Sequence, residues 1–467
     1  MRTFAAICCS VLLGCPTSPA IDDAGAAPDA GQLGDAGLSL TDAGTDGGPD
    51  PAGDAGAEDA GVAWDGGLTF DAGVVKGPFD AGSQPGGPVP GELTYWQLEL
   101  PPGVIPFPRS GEAAVLVGAD GTLVVIDVGN SNHDDEVRAA VRELNTQWLT
   151  AARGYRARAP LEVDWVILTH FHADHVGAFE RLTSGAEPLT ITGGVVHRGF
   201  VDVGPAVNEA DFQQVCARLR GSLAAKNVAL CTGAPESACT VSTRAPASGC
   251  PGLTLGDLSR PDDDALGLAS FIPLGAGARL ELLGAGGFAL EGDVVAAAPS
   301  FGVTDVNEEN ARSVVGLVRH GAFRLLFAGD LSGSGAAGEP DVESFVARRQ
   351  AASLGALGVD VTHANHHARK TSSNATWVQA AAPVDGRGRN VIAGINTAYV
   401  NSPHQETLDA WLSGGRLGGG RFVVTKRAPA AGTSPLLVDV NGRVTVQTVQ
   451  QGDGYWLEGA AWPSVRR

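Results

Sequence analysis

The hydrophobic pattern of the chain changes character near Leu93. Before it, past a short apolar run at the very start, apolar residues are sparse among Ala, Gly, Pro and Asp. After it, they gather into short runs punctuated by Gly, Pro and Asn. Leu93–Leu100 and Ala113–Val117 read as strands. Leu123-Val124-Val125-Ile126 is an unbroken apolar run, the pattern of a strand buried on both faces, and it ends at Asp127-Val128-Gly129-Asn130. The stretch from Asp134 to Leu149 has helical spacing, with Val137, Val141, Leu144 and Trp148 on one face. Val163–Thr169 predicts another buried strand, Ile191–Val196 a further one, and Phe323–Phe327 an apolar strand that runs out at Asp330. Strands and helices in this order predict an α+β protein.

The segment before Leu93 carries an address and no core. Arg2 precedes a short apolar run, Phe4 to Gly14, too short to span a bilayer and suited to a signal segment over residues 1–14. The run closes with Leu12-Leu13-Gly14-Cys15, which resembles a bacterial lipobox. That resemblance implies cleavage before Cys15, acylation of its thiol and a membrane partner through the lipid. Pro16 in place of Asp points to the outer membrane, on its periplasmic face or at the cell surface. Residues 15–91 repeat Asp-Ala-Gly, from Asp23-Ala24-Gly25 to Asp80-Ala81-Gly82. Small residues with like charges cannot bury enough apolar surface to offset chain entropy, so a disordered tether is expected there. The irregular spacing lacks the ligand pattern of calcium-binding repeats. A globular domain is expected over residues 92–467.

Charge narrows the partners. The formal net charge is −20, much of it in the tether, where fourteen acidic residues stand against one lysine between Pro16 and Glu92. The rest of the chain is still acidic and has no Lys/Arg stripe, which argues against tight binding of duplex nucleic acid. No feature implies an obligate protein partner. Beyond Cys15, the cysteines are Cys216, Cys231, Cys239 and Cys250, all within an insertion at about 208–268. An even set in an oxidising compartment predicts two disulfides of unassigned pairing. A structural zinc site is the competing reading, and the loose spacing with no Cys-x-x-Cys pair disfavours it.

The densest chemistry comes directly after the strand Val163–Thr169: His170-Phe171-His172-Ala173-Asp174-His175. His170 and His172, two apart in an extended turn, point to one side and can grip one metal ion. Asp174 and His175, opening the next helix, can reach a second. Imidazole nitrogens and carboxylate oxygens are the donors that borderline divalent metals prefer, with zinc first and manganese or iron possible.

His-x-His-x-Asp-His after a strand ending in Thr resembles the signature of the metallo-β-lactamase superfamily. Gly111-Glu112-Ala113 with Ile126-Asp127-Val128-Gly129 resembles the opening strands of its competence-protein (ComEC-type) hydrolase branch. Asn310-Ala311-Arg312-Ser313, Gly329-Asp330 and His366-His367-Ala368-Arg369 resemble later elements of that branch in order, with Ser402-Pro403-His404 where a His-Pro element recurs. The resemblance implies an αββα sandwich of two sheets with helices outside, here bearing the disulfide-containing insertion. It also implies two divalent metal ions and a metal-dependent hydrolase. It assigns Asp330 as the bridging carboxylate, unless that Asp merely closes a turn. His366 would complete the second metal site with Asp174 and His175. His367 would be a substrate-facing or proton-transferring neighbour, or simply packed. Asp127 would accept a hydrogen bond from the motif loop and orient it, and Asn310 and Ser313 would face substrate, Ser313 equally in a structural role.

Two features depart from the family pattern. Only His197 and His320 lie between His175 and Asp330 as sources of a further histidine ligand. His320-Gly321 reads as a hairpin turn, and His197 stays open as a ligand. Ala368-Arg369 and Ser402 also replace residues of the family pattern, which touches substrate choice more than metal binding. The expected reaction is hydrolysis by a water activated between two cations, with Asp174 and Asp330 holding it and His367 a candidate for leaving-group protonation. The branch resemblance favours a phosphodiester, in nucleic acid or a nucleotide. The acidic domain favours a small lactone, thioester or β-lactam. A surface protein that keeps a metal site without turnover is the third reading.

Overall fold

A computed structural model of the chain describes residues 84–102, 110–198, 214–215, 218, 226–229, 271–291, 294–296, 309–335 and 340–466. The expected signal segment, Cys15, the Asp-Ala-Gly repeats and the four cysteines of the insertion lie outside these residues. Among the described residues no helix is long and apolar enough to cross a membrane.

Two β-sheets take up the chain in three stages. The first sheet opens with β1 (Thr94–Gln97), β2 (Ala114–Val117), β3 (Leu123–Ile126), β4 (Glu162–Leu168), β5 (Thr190–His197) and β6 (Lys226–Ala229). The second holds β7 (Phe271–Pro273), β8 (Arg279–Ala285), β9 (Phe288–Glu291), β10 (Val294–Ala296), β11 (Val315–His320), β12 (Phe323–Phe327), β13 (Val361–His363), β14 (Asn390–Ala393), β15 (Phe422–Val424) and β16 (Leu437–Asp439). The chain then returns to the first sheet as β17 (Val444–Val449), β18 (Gly454–Leu457) and β19 (Ala460–Pro463). The first sheet runs β19-β18-β17-β1-β2-β3-β4-β5-β6, the second β10-β9-β8-β11-β12-β13-β14-β15-β16, with β7 beside β8. Each is antiparallel up to one strand and parallel after it: β3 onward in the first, β12 onward in the second.

Three apolar layers explain why the strands read as continuous hydrophobic runs. Ala114, Leu116, Val124 and Ile126 face Leu280, Val318, Leu325, Val361 and Ile392 in the layer between the sheets. Their alternates Val115, Val117, Leu123 and Val125 turn outward onto Val137, Val141 and Leu144 of the helix Asp134–Glu143 and its π-helical extension Leu144–Trp148. On the far side, Leu317, Leu326, Val391 and Phe422 pack under Val346, Trp377, Leu408 and Trp411 of the helices Val342–Arg349, Ala375–Ala381 and Gln405–Leu412. Both faces of both sheets are thus covered, and each fully buried Val, Leu, Ile or Phe among these contributes about 1.5–3 kcal/mol of transfer free energy. This is a helix–sheet–sheet–helix arrangement.

Two boundaries differ from the reading of composition. Residues 84–91 already pack against the domain: Gly87 and Pro88 are buried, and Gln447 Nε2 donates to Gly87 O at 3.1 Å. Their Gly and Pro content masks this, because the contacts run through the backbone. The expected insertion also contains β6, which pairs in parallel with β5 and extends the first sheet.

Candidate metal centre

The motif residues hang from the carboxyl ends of parallel strands, where open α/β sheets place their sites. β4 ends at Leu168, and Thr169 then leads into His170. Thr169 is clamped by Asp127, which comes just after β3: the Asp127 carboxylate accepts the Thr169 N–H and its hydroxyl, both at 2.7 Å. Asp127 sits at φ 54°, a left-handed turn that aims its other contact at His175 Nδ1, 2.8 Å away. One carboxylate therefore anchors both ends of the His-x-His-x-Asp-His loop. The helix Ala173–Val176 carries Asp174 and His175, and Gly177 closes it against the chain; a Cβ there would lie 2.5 Å from Ala173 O.

The second sheet meets this loop with Asp330, just past β12. Gly329 makes the approach possible: its φ is +51°, and a Cβ would lie 2.7 Å from Thr169 Oγ1. Ser313 Oγ accepts the Asp330 N–H at 3.2 Å. The Asp330 carboxylate, 2% exposed, then faces four imidazoles. His170 Nε2 is 3.8 Å from Oδ2, His366 Nε2 3.8 Å, His367 Nε2 3.3 Å, and His175 Nε2 is 3.2 Å from Oδ1.

Among the described residues, two groups of side chains, sharing Asp330, bring donor atoms close enough to hold a metal ion: His170, His172 and Asp330, and Glu112, His175, Asp330 and His367. Asp174 Oδ2 stands 3.4 Å from His367 Nε2 and joins the second group from its open side. Imidazole nitrogens confront one another here, His170 Nε2 with His172 Nδ1 at 3.1 Å and His175 Nε2 with His367 Nε2 at 3.3 Å. Such pairs need a proton or a cation between them. His172 Nε2, buried and without a hydrogen-bond partner, is a further open donor. Facing lone pairs, an unpartnered nitrogen and a central carboxylate fit divalent cations.

Electrostatics point the same way. Burial holds His170 well below its usual range and takes His366 down to about 4, leaving both neutral and able to donate a lone pair. Burial would raise Asp330, but His175, His367 and His366 outweigh it and keep the group well below the carboxylate range. Asp174 is lowered in the same way by His367 and His175 against burial. Burial presses His175 down, yet Asp330 and Asp127 raise it. Asp127 itself is raised, burial exceeding the pull of His175 and Thr169.

The double histidine is arranged differently from the sequence expectation. His367, expected as a neighbour, lies among Asp174, His175 and Asp330. His366, expected to complete that group, turns Nε2 to Asn310 Nδ2 at 3.3 Å and Nδ1 to Thr371 Oγ1. The backbone there is not a regular right-handed helix: His366, His367 and Ala368 all have positive φ, 51°, 50° and 58°, so helical spacing does not predict where the two side chains point. His197 ends β5, buried beside Phe171 at 5.9 Å between ring centroids, and belongs to neither group. His320 pairs with Thr448 Oγ1 at 2.9 Å, away from both.

Two residues that the sequence reading left without a role enter the site. Glu112 lies between His363 and His367. Tyr399 stacks on His367 with centroids 4.0 Å apart, and its hydroxyl donates to Asp174 Oδ2 at 3.2 Å while lying 3.0 Å from His367 Nε2. Ser110 Oγ also reaches Asp174 Oδ2, at 3.4 Å.

No curated protein matches the chain. Among solved structures it is similar to the metallo-beta-lactamase fold protein YhfI from Bacillus subtilis, at 10% identity and TM-score 0.33, over 72% of this chain and 97% of that one. It is also similar to Zn(2+)-bound PqqB from Methylobacterium extorquens, at 10% identity and TM-score 0.28, over 58% of this chain and 71% of that one. A metallo-beta-lactamase mutant from Cronobacter sakazakii shows 16% identity and TM-score 0.27, over 57% of this chain and 75% of its own. The profile of the Metallo-beta-lactamase superfamily matches residues 108–413, well over half of the chain and every residue of the site just described, and the chain belongs to that superfamily.

Proposed function

We propose that this protein is a metal-dependent hydrolase acting on phosphodiesters. The observation that carries the reading is the Asp330 carboxylate set between two histidine groups, 3.2–3.8 Å from four imidazoles. His170, His172 and Asp330 would hold one cation, and Asp174, His175, His367 and Asp330 a second, with zinc first in preference for these donors. Bound there, the cations would supply Lewis acidity and a water of lowered pKa. The chain's own residues supply the rest. Asp127 fixes the motif loop through Thr169 and His175. Tyr399, its hydroxyl on Asp174, is placed to donate a proton toward a departing oxygen. The Asn310 amide donates beside His366, where an anionic oxygen would be met by a neutral donor. Arg369 and Lys370, exposed just beyond the double histidine and Ala368, add positive charge beside the site on an otherwise acidic chain.

Localisation is part of the same reading: a lipid at Cys15 would tether the enzyme to the outer membrane through the Asp-Ala-Gly segment. Labelling cells with a fatty-acid probe should mark the wild-type protein and leave Cys15→Ser unmarked; label retained in the variant would end the lipoprotein reading.

The enzymatic test measures metal content and hydrolysis of bis-p-nitrophenyl phosphate together. The expected result is about two divalent ions per chain and turnover that is lost in Asp330→Ala. Bound metal with no phosphodiester turnover would redirect the search to lactones, thioesters and β-lactams. Absence of metal binding would overturn the assignment of the histidine cluster.

A further inference from the structure

We propose that Glu112 is a positioning residue which, braced on its far side by His363, fixes the ring of His367 and so sets the second cation site. The proposal rests on the metal-centre reading above and gives Glu112, which stands within reach of the second group, a role other than that of a ligand.

The placement is unusually constrained. Glu112 lies just before β2, and its main chain ties two parts of the site together: its N–H donates to Asp174 O and its carbonyl accepts the Gly129 N–H, each at 2.9 Å. The side chain is buried, 8% exposed, and both oxygens face imidazoles. Oε1 is 2.6 Å from His363 Nε2 and Oε2 is 2.8 Å from His367 Nδ1. His363 ends β13, four residues before His367, so the carboxylate spans the start and end of the segment that delivers the double histidine. Gly394, at the end of β14, leaves room for it; a Cβ there would lie 3.1 Å from Glu112 Cγ.

The consequence is chemical. With a carboxylate oxygen 2.8 Å from Nδ1, the His367 tautomer that carries its proton on that nitrogen is electrostatically favoured. Nε2 is then left as a lone pair directed at the volume bounded by Asp174 Oδ2, Asp330 Oδ2 and His175 Nε2, at 3.4, 3.3 and 3.3 Å. Carboxylate–imidazole–cation arrangements of this kind raise ligand basicity and lock ring orientation. His367 needs such a brace because its backbone is left-handed, with φ 50°. Asp127 performs the same service for His175, at 2.8 Å from its Nδ1. Each histidine of the second site thus has its own carboxylate, one from the end of β3 and one from the start of β2. Direct ligation of the cation by Glu112 is the alternative, because Oε2 and His367 Nδ1 lie 2.8 Å apart without forming an aligned hydrogen bond and Glu112 stands within reach of the second group. The cobalt spectrum separates the two roles.

The test uses the full-length protein, reconstituted with Zn²⁺ or Co²⁺, in wild type, Glu112→Gln and His363→Phe, with circular dichroism and thermal melting to establish folding. Stepwise metal affinity is measured by competition with a chelator, and the cobalt d–d spectrum reports coordination. The expected result for Glu112→Gln is two ions per chain, the weaker-binding step loosened by roughly 10–100-fold and the tighter one unchanged, with a shifted cobalt band. His363→Phe, which touches no cation, should reproduce part of that loss. Unchanged affinities in a folded Glu112→Gln would overturn the proposal. Complete loss of one ion, with a lowered cobalt coordination number, would overturn it in favour of direct ligation. Failure of the wild type to bind metal would fell the metal-centre reading and this proposal together, a result visible before any variant is made.

Discussion

Tyr399 shows how much of the site is settled one residue at a time. It is buried at 2% exposure, stacked on His367, and its hydroxyl touches the Asp174 carboxylate. Burial first, then Asp174, Asp330 and Glu112, hold the phenol well above its ordinary range, so it stays protonated and able to donate. Tyr399→Phe keeps the ring, and hence the packing of His367. The expected outcome is kcat lowered by about 10²-fold or more, the scale of a lost general acid, with KM and metal content little changed. A fall in metal content instead would make Tyr399 a prop for Asp174 and not a donor. Neither Tyr399 nor Glu112 could be found by spacing. His170, His172, Asp174 and His175 are legible because one turn carries them all. Glu112 and Tyr399 reach the same point from either side of that turn, 58 and 229 positions from His170, and sequence has no rule for that distance. The placement of His366 and His367 was illegible for another reason: three left-handed residues in a row carry them, and no Gly announces the turn.

At the scale of elements, strands were readable and their supports were not. The continuous apolar run of β3 is legible because both its faces are buried, while β6, Lys226-Asn227-Val228-Ala229, is hidden inside a segment whose composition reads as loop. The segment from Asn365 to Asn374, which presents the double histidine, is held by Glu343 in the first turn of the helix Val342–Arg349. The Glu343 carboxylate accepts from Asn365 Nδ2 at 2.7 Å and from the Ser373 and Asn374 N–H groups at 2.8 Å. Burial pushes Glu343 up to about 7, against the pull of those three donors. A carboxyl whose pKa rises from its ordinary 4.5 to about 7 on folding binds more protons in the native state across that window. Stability should therefore fall as pH rises from about 4.5 to 7, with this group's slope at most about 1.4 kcal/mol per pH unit. Chemical denaturation across that range should show the decline in wild type and a flatter profile in Glu343→Gln. Equal slopes in the two would mean that the donors keep Glu343 ionised throughout. The cap of the same helix gives a simpler expectation: Asp341 accepts the Ser344 N–H at 2.8 Å, and Asp341→Ala should cost about 1 kcal/mol in the same assay.

The whole molecule repeats one plan twice, and the site lies where the copies meet. In each sheet an antiparallel hairpin, β2–β3 or β11–β12, gives way to parallel strands, and a carboxylate stands just past the turning strand: Asp127 after β3, Asp330 after β12. His170, His172, Asp174 and His175 come from the first sheet, Asp330 and His367 from the second, so a cation bound among them cross-links the two layers. Ligand that binds only the folded state stabilises it by RT ln(1 + [L]/Kd), about 2.7 kcal/mol at a hundredfold excess over Kd. For a domain of this size that corresponds to a melting shift of roughly 2–4 °C per kcal/mol or less. Removing metal with a chelator should lower the melting temperature by several degrees, and restoring Zn²⁺ should recover it. Asp330→Ala isolates the cause, because the Asp330 carboxylate belongs to both groups. In that variant the chelator should have little effect, whereas Asn310→Ala, outside both groups, should keep the full response. A chelator-insensitive wild type would mean that the inter-sheet apolar layer alone sets the melting point and that the four imidazoles around Asp330 hold no ion. A shift of the same size in Asp330→Ala would place the stabilising ion somewhere other than between the sheets.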